Sequence, residues 1–122
     1  MANSFINKKV DLTTTDLTTL YTVPSAKTAV VKSLLVSEDA GSGTTITVTL
    51  TDSSSNVFSL FKTKTISSNT TTELLTQPLV MEEKEILKVQ AGEANELHVI
   101  ASILQRPPIA KISPRGMITS FS

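Results

Sequence analysis

The stretch Thr44–Thr51 alternates threonine with aliphatic residues, and this alternation constrains the fold of the chain more than any other feature. Its sequence is Thr-Thr-Ile-Thr-Val-Thr-Leu-Thr, so Ile46, Val48 and Leu50 share one side of an extended backbone. Every residue except Leu50 is β-branched, which favours a pleated, half-buried strand over a helix. The pattern predicts a strand with one apolar face and one hydroxyl face. The apolar face requires a second sheet to cover it.

Short apolar runs of this kind recur along the chain, separated by turn residues about every ten positions. Glycines and acidic residues follow the run 29–37, a serine-rich segment follows Thr51, and Gly92 lies in a turn before the run 97–104. No helical period is present. The 122 residues therefore predict an all-β chain, an antiparallel β-sandwich of jelly-roll or immunoglobulin-like type with about 7–8 strands.

Two runs depart from simple alternation. The run 29–37 is apolar on both sides of a strand, with Val30, Leu34 and Val36 on one face and Val31 and Leu35 on the other. In the run Val57–Ile66, Lys62 and Lys64 fall in phase with apolar residues. Either a β-bulge near Lys62 or exposure of these residues past the sheet edge would resolve that conflict, since an inserted residue changes which face the following side chains occupy.

Beyond Leu104 the composition changes. Residues 105–122 contain three prolines and three basic residues without any acid, whereas residues 1–104 hold eight basic and eleven acidic residues. The sequence predicts a β-sandwich domain over 1–104 and an extended C-terminal arm over 105–122 that contacts a neighbouring subunit or the underlying shell. The arm residues expected to make this contact are basic or apolar: Arg106, Ile109, Lys111, Ile112, Arg115, Met117, Ile118 and Phe121.

Side chains that carry catalysis or metal binding are scarce. The chain has no Cys, which excludes disulfides and thiolate metal sites, and it has a single histidine, His98. Glu96 precedes it by two residues, which places both on one strand face at the spacing of a metal pair or an acid–base dyad. Because no further ligand accompanies them, we interpret His98 as an exposed strand residue. We predict no catalytic residue, no cofactor and no metal.

The remaining polar clusters have structural interpretations. The segment Gly41–Gly43 lacks the lysine and the following helix of a phosphate-binding loop, so it is interpreted as a hairpin tip. The acidic pairs Glu38–Asp39 and Glu82–Glu83 are interpreted as solubilising turn residues. Eleven basic residues balance eleven acidic ones, and no apolar stretch is long enough to span a membrane. These features predict no nucleic-acid, membrane or small-molecule partner.

Six segments carry a resemblance to a known group of proteins. They are TTLYTVP at 18–24, TAVVKSLLVS at 28–37, ITVTLTD at 46–52, ELLTQPLVM at 73–81, ILKVQAG at 86–92 and LHVIASIL at 97–104. In these strand–turn–strand segments, residues 18–104 resemble small β-sandwich structural proteins from the virions of tailed bacteriophages. The resemblance implies a non-enzymatic protein that sits on or in a virion as a cement, decoration or connecting piece.

Within that group, a capsid cement or decoration protein is the expected function, stabilising the shell through subunit contacts as a small homo-oligomer such as a trimer. Its expected partners are the major capsid protein or neck and tail proteins, and its location is the virion, preceded by the host cytoplasm during assembly. One alternative is a neck, baseplate or tail-fibre adaptor of the same virion. An alternative from another class is a carbohydrate-binding module, although sugar binding usually uses exposed aromatic residues and the chain has one Tyr and no Trp.

Overall fold

Two antiparallel β-sheets pack face to face in the computed structural model, which describes residues 4–107. The strands are β1 (Ser4–Leu12), β2 (Thr18–Thr22), β3 (Thr28–Glu38), β4 (Thr44–Thr51), β5 (Val57–Ile66), β6 (Thr71–Glu73), β7 (Leu79–Met81), β8 (Ile86–Ala91) and β9 (Leu97–Arg106). Sheet A has the order β1-β9-β3-β6, with β7 also paired to β3. Sheet B has the order β2-β8-β4-β5.

The strand order is that of a jelly roll. β6 and β7 pair with separate parts of β3, so together they form one interrupted edge strand. Counted in this way, the first and last strands are neighbours in sheet A, and the second and next-to-last strands are neighbours in sheet B. The predicted antiparallel β-sandwich is confirmed, and the topology selects the jelly roll over the immunoglobulin-like arrangement.

The core lies between the two sheets and is filled by the inward-facing residues of each strand. In β4, Ile46 and Val48 are fully buried, as the alternation predicted, while Leu50 is half-buried near the edge. Sheet A contributes Val99, Ala101 and other aliphatic side chains from β9. Burial of these side chains is the dominant favourable contribution to folding of such a domain.

A bulge in β3 determines which of its apolar residues enter the core. The register with β9 shifts between Val31 and Ser33, which leaves Lys32 as an extra residue. As a result Val31 joins Leu34 in the core, whereas Val30 is only half-buried on the outer side. The sequence-based grouping of Val30 with Leu34 was wrong, because one inserted residue exchanges the two faces of a strand.

The irregularity expected in β5 is also a bulge. The pairing of β4 with β5 shifts twice, once on either side of Val48, which pairs with Phe61. Thr63 has a positive φ of 48°, and its N–H donates to Thr47 Oγ1 at 3.0 Å. The bulge predicted near Lys62 is therefore confirmed, and it leaves both Lys62 and Lys64 exposed.

The last strand is longer than its sequence pattern indicated. β9 continues past Leu104, with Gln105 paired to Ser4 and Ala29 and Arg106 paired to Thr28. Gln105 also points into the sandwich, where its Oε1 accepts a hydrogen bond from the Tyr21 hydroxyl at 2.7 Å. Pro107 then ends the strand because it has no N–H to donate. Of the predicted arm, the residues from 108 onward lie outside the described part of the chain.

Candidate functional site

The outer face of sheet A carries apolar side chains in a line across four strands. Phe5 of β1 lies opposite Leu104 of β9, Leu104 lies opposite Val30 of β3, and Val30 lies opposite Val80 of β7. We call these four residues the apolar row. Phe5 is 77% exposed and Val80 is 63% exposed, while the two central residues are half-buried. With strands about 4.8 Å apart, the row is about 15 Å long.

The apolar row is bounded on its own face by polar residues. At the next outward-facing positions of β1, β9 and β3, Asn7 lies opposite Ser102, which lies opposite Ser33. The row thus occupies the end of sheet A at which β1 begins and β9 ends. Its members come from both ends of the chain and from its middle, so no short segment of sequence contains it.

The outer face of sheet B has a different chemistry. Threonines of β4 alternate outward and lie beside Lys88 and Gln90 of β8. Part of the predicted hydroxyl face is buried, since Thr49 and Thr51 are less than one-tenth exposed and their hydroxyls have no hydrogen-bond partner within residues 4–107. A shallow groove of about 320 Å³ lies on this side, lined by Thr15, Thr45, Thr47, Thr63, Gln90, Ala91 and Gly92. Its lining suits a polar ligand.

His98 does not pair with Glu96. Its Nε2 lies 3.3 Å from Asp11 Oδ1 on β1, and its Nδ1 lies 3.5 Å from Asp39 Oδ2, just after β3. Glu96 precedes the first residue of β9, so the two-residue spacing does not keep the two side chains on one strand face. All three side chains of the His98 cluster are substantially exposed, and exposed ion pairs contribute little to stability.

Glu96 instead forms a carboxyl pair with Glu38, and this pair joins three loops. Glu38 is only 1% exposed and accepts hydrogen bonds from the backbone N–H groups of Gly41, Gly43 and Asn69. The Glu96 carboxyl interacts with that of Glu38 and accepts a hydrogen bond from the Ser42 hydroxyl at 2.8 Å. Glu38 was wrongly interpreted as a solubilising turn residue.

The sequence does contain a signal for this arrangement. Gly41 and Gly43 have φ angles of 87° and 73°, a backbone conformation that glycine adopts readily. In this conformation both N–H groups point back toward Glu38 and donate to its carboxylate. The segment interpreted from the sequence as a hairpin tip therefore also binds an anion, the carboxylate of Glu38. An acid followed by a Gly-Ser-Gly segment is a pattern that could have indicated it.

The two carboxyl groups titrate in opposite directions. The Asn69 N–H lowers the pKa of Glu38 most; burial opposes this, and the bonds from Gly41, Glu96 and Gly43 lower the pKa further, to about 2. The Ser42 hydroxyl lowers the pKa of Glu96, but burial, the bond to Glu38 and the nearby charges of Glu93 and Glu38 raise it above its ordinary value overall. As the pH falls, Glu96 therefore takes up a proton before Glu38 does.

These shifts predict how stability depends on pH. The Glu38 carboxylate stabilises the fold above its ordinary pKa of 4.5, and that contribution is lost as the pH falls toward 2. The protonated Glu96 stabilises the fold below its ordinary pKa, and this contribution is lost as the pH rises through its raised value. Glu96→Gln supplies an amide that donates to Glu38 without titrating.

We therefore expect the melting temperature of Glu96→Gln to exceed that of the unsubstituted protein at about pH 8 and the difference to shrink at about pH 4. Thermal unfolding followed by circular dichroism across this range is the measurement. If the melting temperatures of the two proteins instead change in parallel from acid to alkaline pH, the pKa of Glu96 is not raised by the fold.

Other carboxylates also stabilise local structure through hydrogen bonds. Glu73 of β6 accepts bonds from the Ser33 hydroxyl and, at 2.7 Å, from the Leu34 N–H, which fastens the short strand β6 to β3. Asp52 accepts the N–H groups of Ser54 and Asn56, both at 2.9 Å, and closes the turn after β4. The carboxylate oxygens of Glu73 and Asp52 thus accept hydrogen bonds that hold the fold together.

Of the predicted contact residues, Arg106 is the one that the structure describes. It is exposed at the end of β9, beside Thr28. The others lie outside the described residues: Ile109, Lys111, Ile112, Arg115, Met117, Ile118 and Phe121. Within residues 4–107 there is no group of three or more His, Asp or Glu side chains arranged for a metal ion, and no helix that could cross a membrane.

In comparisons with known proteins, the chain matched solved structures but no family model or curated sequence. No protein-family model matches the chain, and no curated protein matches it significantly. Two solved structures align with 95% of the chain, and both are described as pentameric capsid proteins isolated from metagenomic phage sequences. They are 20% and 21% identical to it, with TM-scores of 0.40 and 0.41. The chain spans 65% of the first protein and 71% of the second.

Proposed function

We propose that this chain is a non-enzymatic structural protein of a bacteriophage virion. The observation that carries the proposal is the jelly-roll strand order, an architecture common among viral capsid domains and lectins. Because one fold serves many functions, the topology narrows the range of possible functions but does not select one of them. The resemblance of residues 18–104 to small phage structural proteins supports the virion over the other users of the fold.

Within the virion we propose a capsid cement or decoration protein that stabilises the shell through subunit contacts. The apolar row supports a contact function, because an exposed apolar patch on a protein surface commonly marks an interaction site. The hydrogen bonds of Glu38, Glu73 and Asp52 support a structural rather than a catalytic use of these carboxylates. The proposed partners are the major capsid protein and other copies of the chain, in the virion and, during assembly, in the host cytoplasm.

The homo-oligomer is part of this proposal. The sequence-based expectation was a small assembly such as a trimer, whereas the two solved structures are of proteins described as pentameric. Light scattering of the full chain gives the number of copies directly.

A carbohydrate-binding module is the alternative from another class, and the hydroxyl-lined groove on sheet B is the observation in its favour. Against it, Tyr21 is 3% exposed and its hydroxyl is bonded to Gln105, so its ring is not a platform for a sugar. A glycan array separates the two functions, since the cement protein should bind no glycan.

Imaging of labelled particles tests the proposed function. A short epitope inserted in the exposed turn 53–55 leaves the strands intact, and an antibody fragment then marks the protein on purified particles. If the chain is a cement protein, the label should be distributed over the whole shell. Label confined to the neck, baseplate or fibres would replace cement with the adaptor alternative, and particles without label would overturn the virion assignment.

A further inference from the structure

We propose that the apolar row of one copy binds residues 108–122 of a second copy. The inference rests on the proposed homo-oligomer, but it does not depend on where the oligomer sits in a virion. It identifies the docking surface, sheet A, and the segment that docks there, the C-terminal residues of a neighbour.

The outer faces of the two sheets differ in chemistry. Both sheets cover the same core, and both outer faces of an isolated domain would contact water. Along β4 and β8, sheet B presents hydroxyl and charged side chains outward, and its strongly exposed apolar residues, Val57 and Phe58, are adjacent on the edge strand β5. The end of sheet A instead presents Phe5, Leu104, Val30 and Val80 in line across four strands. Apolar side chains gain from leaving water, so the asymmetry points to a partner on sheet A.

The described part of the chain ends beside the apolar row. Arg106 pairs with Thr28, two residues before Val30, and Pro107 follows it. Residues 108–122 therefore begin at the end of sheet A that carries the apolar row. In fifteen residues they hold five large apolar side chains: Ile109, Ile112, Met117, Ile118 and Phe121. The segment that begins beside the apolar row is therefore rich in the apolar side chains that could cover it.

Charge supports the same pairing. Residues 108–122 carry Lys111 and Arg115 and no acid, a net charge of +2, whereas residues 4–107 carry nine basic and eleven acidic residues, a net charge of −2. At the β7 end of the row, the exposed acids Glu82 and Glu83 follow Val80 closely. Complementary charges favour encounter between the segment and this end of the sheet and fix its direction there.

The docked segment is assigned to a second copy because of the residues that precede it. To reach the row of its own chain, the segment would have to reverse direction within a few residues of Leu104. Two consecutive prolines, Pro107 and Pro108, favour an extended continuation and disfavour such a tight reversal. At about 3.1 Å per residue, fifteen extended residues reach roughly 46 Å, enough to cross to a neighbour.

Disulfide trapping between full-length chains tests the proposal, because the protein has no cysteine of its own. One chain carries Ser102→Cys, an exposed position on the outer face of sheet A between Leu104 and Ile100. The second chain carries Ser120→Cys, next to Phe121, and a size tag that separates mixed dimers on a gel. The control replaces the first chain with Ser59→Cys, an equally exposed serine on β5 beside Thr49 of sheet B.

We expect mixed dimers with Ser102→Cys to exceed those with Ser59→Cys about tenfold under mild oxidation, because docking raises the local concentration of the two thiols. Adding Phe5→Ser to the Ser102→Cys chain should remove most of this excess. Adding Phe58→Ser, an exposed phenylalanine on β5, should leave it unchanged. Unaltered melting temperatures show that the variants are folded.

Two results would overturn the proposal. One is an equal yield of mixed dimers from both positions. The other is efficient disulfide formation within a single chain that carries both Ser102→Cys and Ser120→Cys, at dilutions where mixed dimers do not form. Labelling of particles, as described above, is independent of the trapping result, so a shell-labelled particle without trapping would remove this inference and leave the proposed function standing.

Discussion

Val48→Asp is expected to destabilise the domain by about 3 kcal/mol or more, whereas Thr47→Asp should cost less than about 1 kcal/mol. Val48 is fully buried between the sheets, where a carboxylate has no partner. Thr47 lies on the opposite face of β4 and is half-buried, and its hydroxyl accepts the Thr63 N–H. An aspartate at position 47 still offers an acceptor to that N–H.

Urea unfolding of the two variants measures this difference, with the slope of the transition as a check that each remains two-state. The two positions are adjacent and receive the same substitution, so any effect of strand propensity is common to both. Equal losses of unfolding free energy would contradict the assignment of the two faces of β4, and with it the position of the core.

Removal of residues 108–122 should have the largest effect on assembly. A chain that ends at Pro107 keeps all of β9, including the bond between Gln105 and Tyr21, so we expect a melting temperature close to that of the full chain. We expect the same chain to remain monomeric and to bind particles only weakly, because it lacks the five apolar residues proposed to dock on a neighbour. Light scattering and co-sedimentation with particles measure the two losses.

A second truncation serves as its control. A chain that ends at Leu104 loses the pairing of Gln105 and Arg106 with β3 and leaves the Tyr21 hydroxyl without its partner, so its melting temperature should fall as well. The two truncations thus separate loss of folding from loss of assembly. Normal oligomers and normal particle binding by the chain that ends at Pro107 would exclude residues 108–122 from both contacts.

The parts of the fold that follow from local sequence were predictable. The β4 strand was evident because strict alternation over Thr44–Thr51 favours one structure, a half-buried strand. The charges at Lys62 and Lys64 already indicated either a bulge or exposure past the sheet edge. The bulge at Lys32 in β3 was not, because its position is set by the pairing with β9 some seventy residues away. The extra length of β9 likewise depends on partners in β1 and β3.

The candidate site was harder to predict from the sequence, because it too depends on pairing between strands that are distant in the sequence. Phe5, Val30, Val80 and Leu104 come from four separate segments of the sequence, and only the register of sheet A places them in one row. The link between Glu38 and Glu96 also spans the chain. The expectation that Glu96 accompanies His98 relied on strand geometry, which does not hold for a residue just before the strand begins.

The central claim is that the chain stabilises a phage shell by binding to it. The most direct measurement is the temperature at which particles lacking the chain release their genome, with and without the purified full-length protein added back. We predict that the full chain binds the shell and raises the release temperature, whereas the chain ending at Pro107 binds weakly and raises it much less. A release temperature that does not change when the full chain is added would contradict the claim.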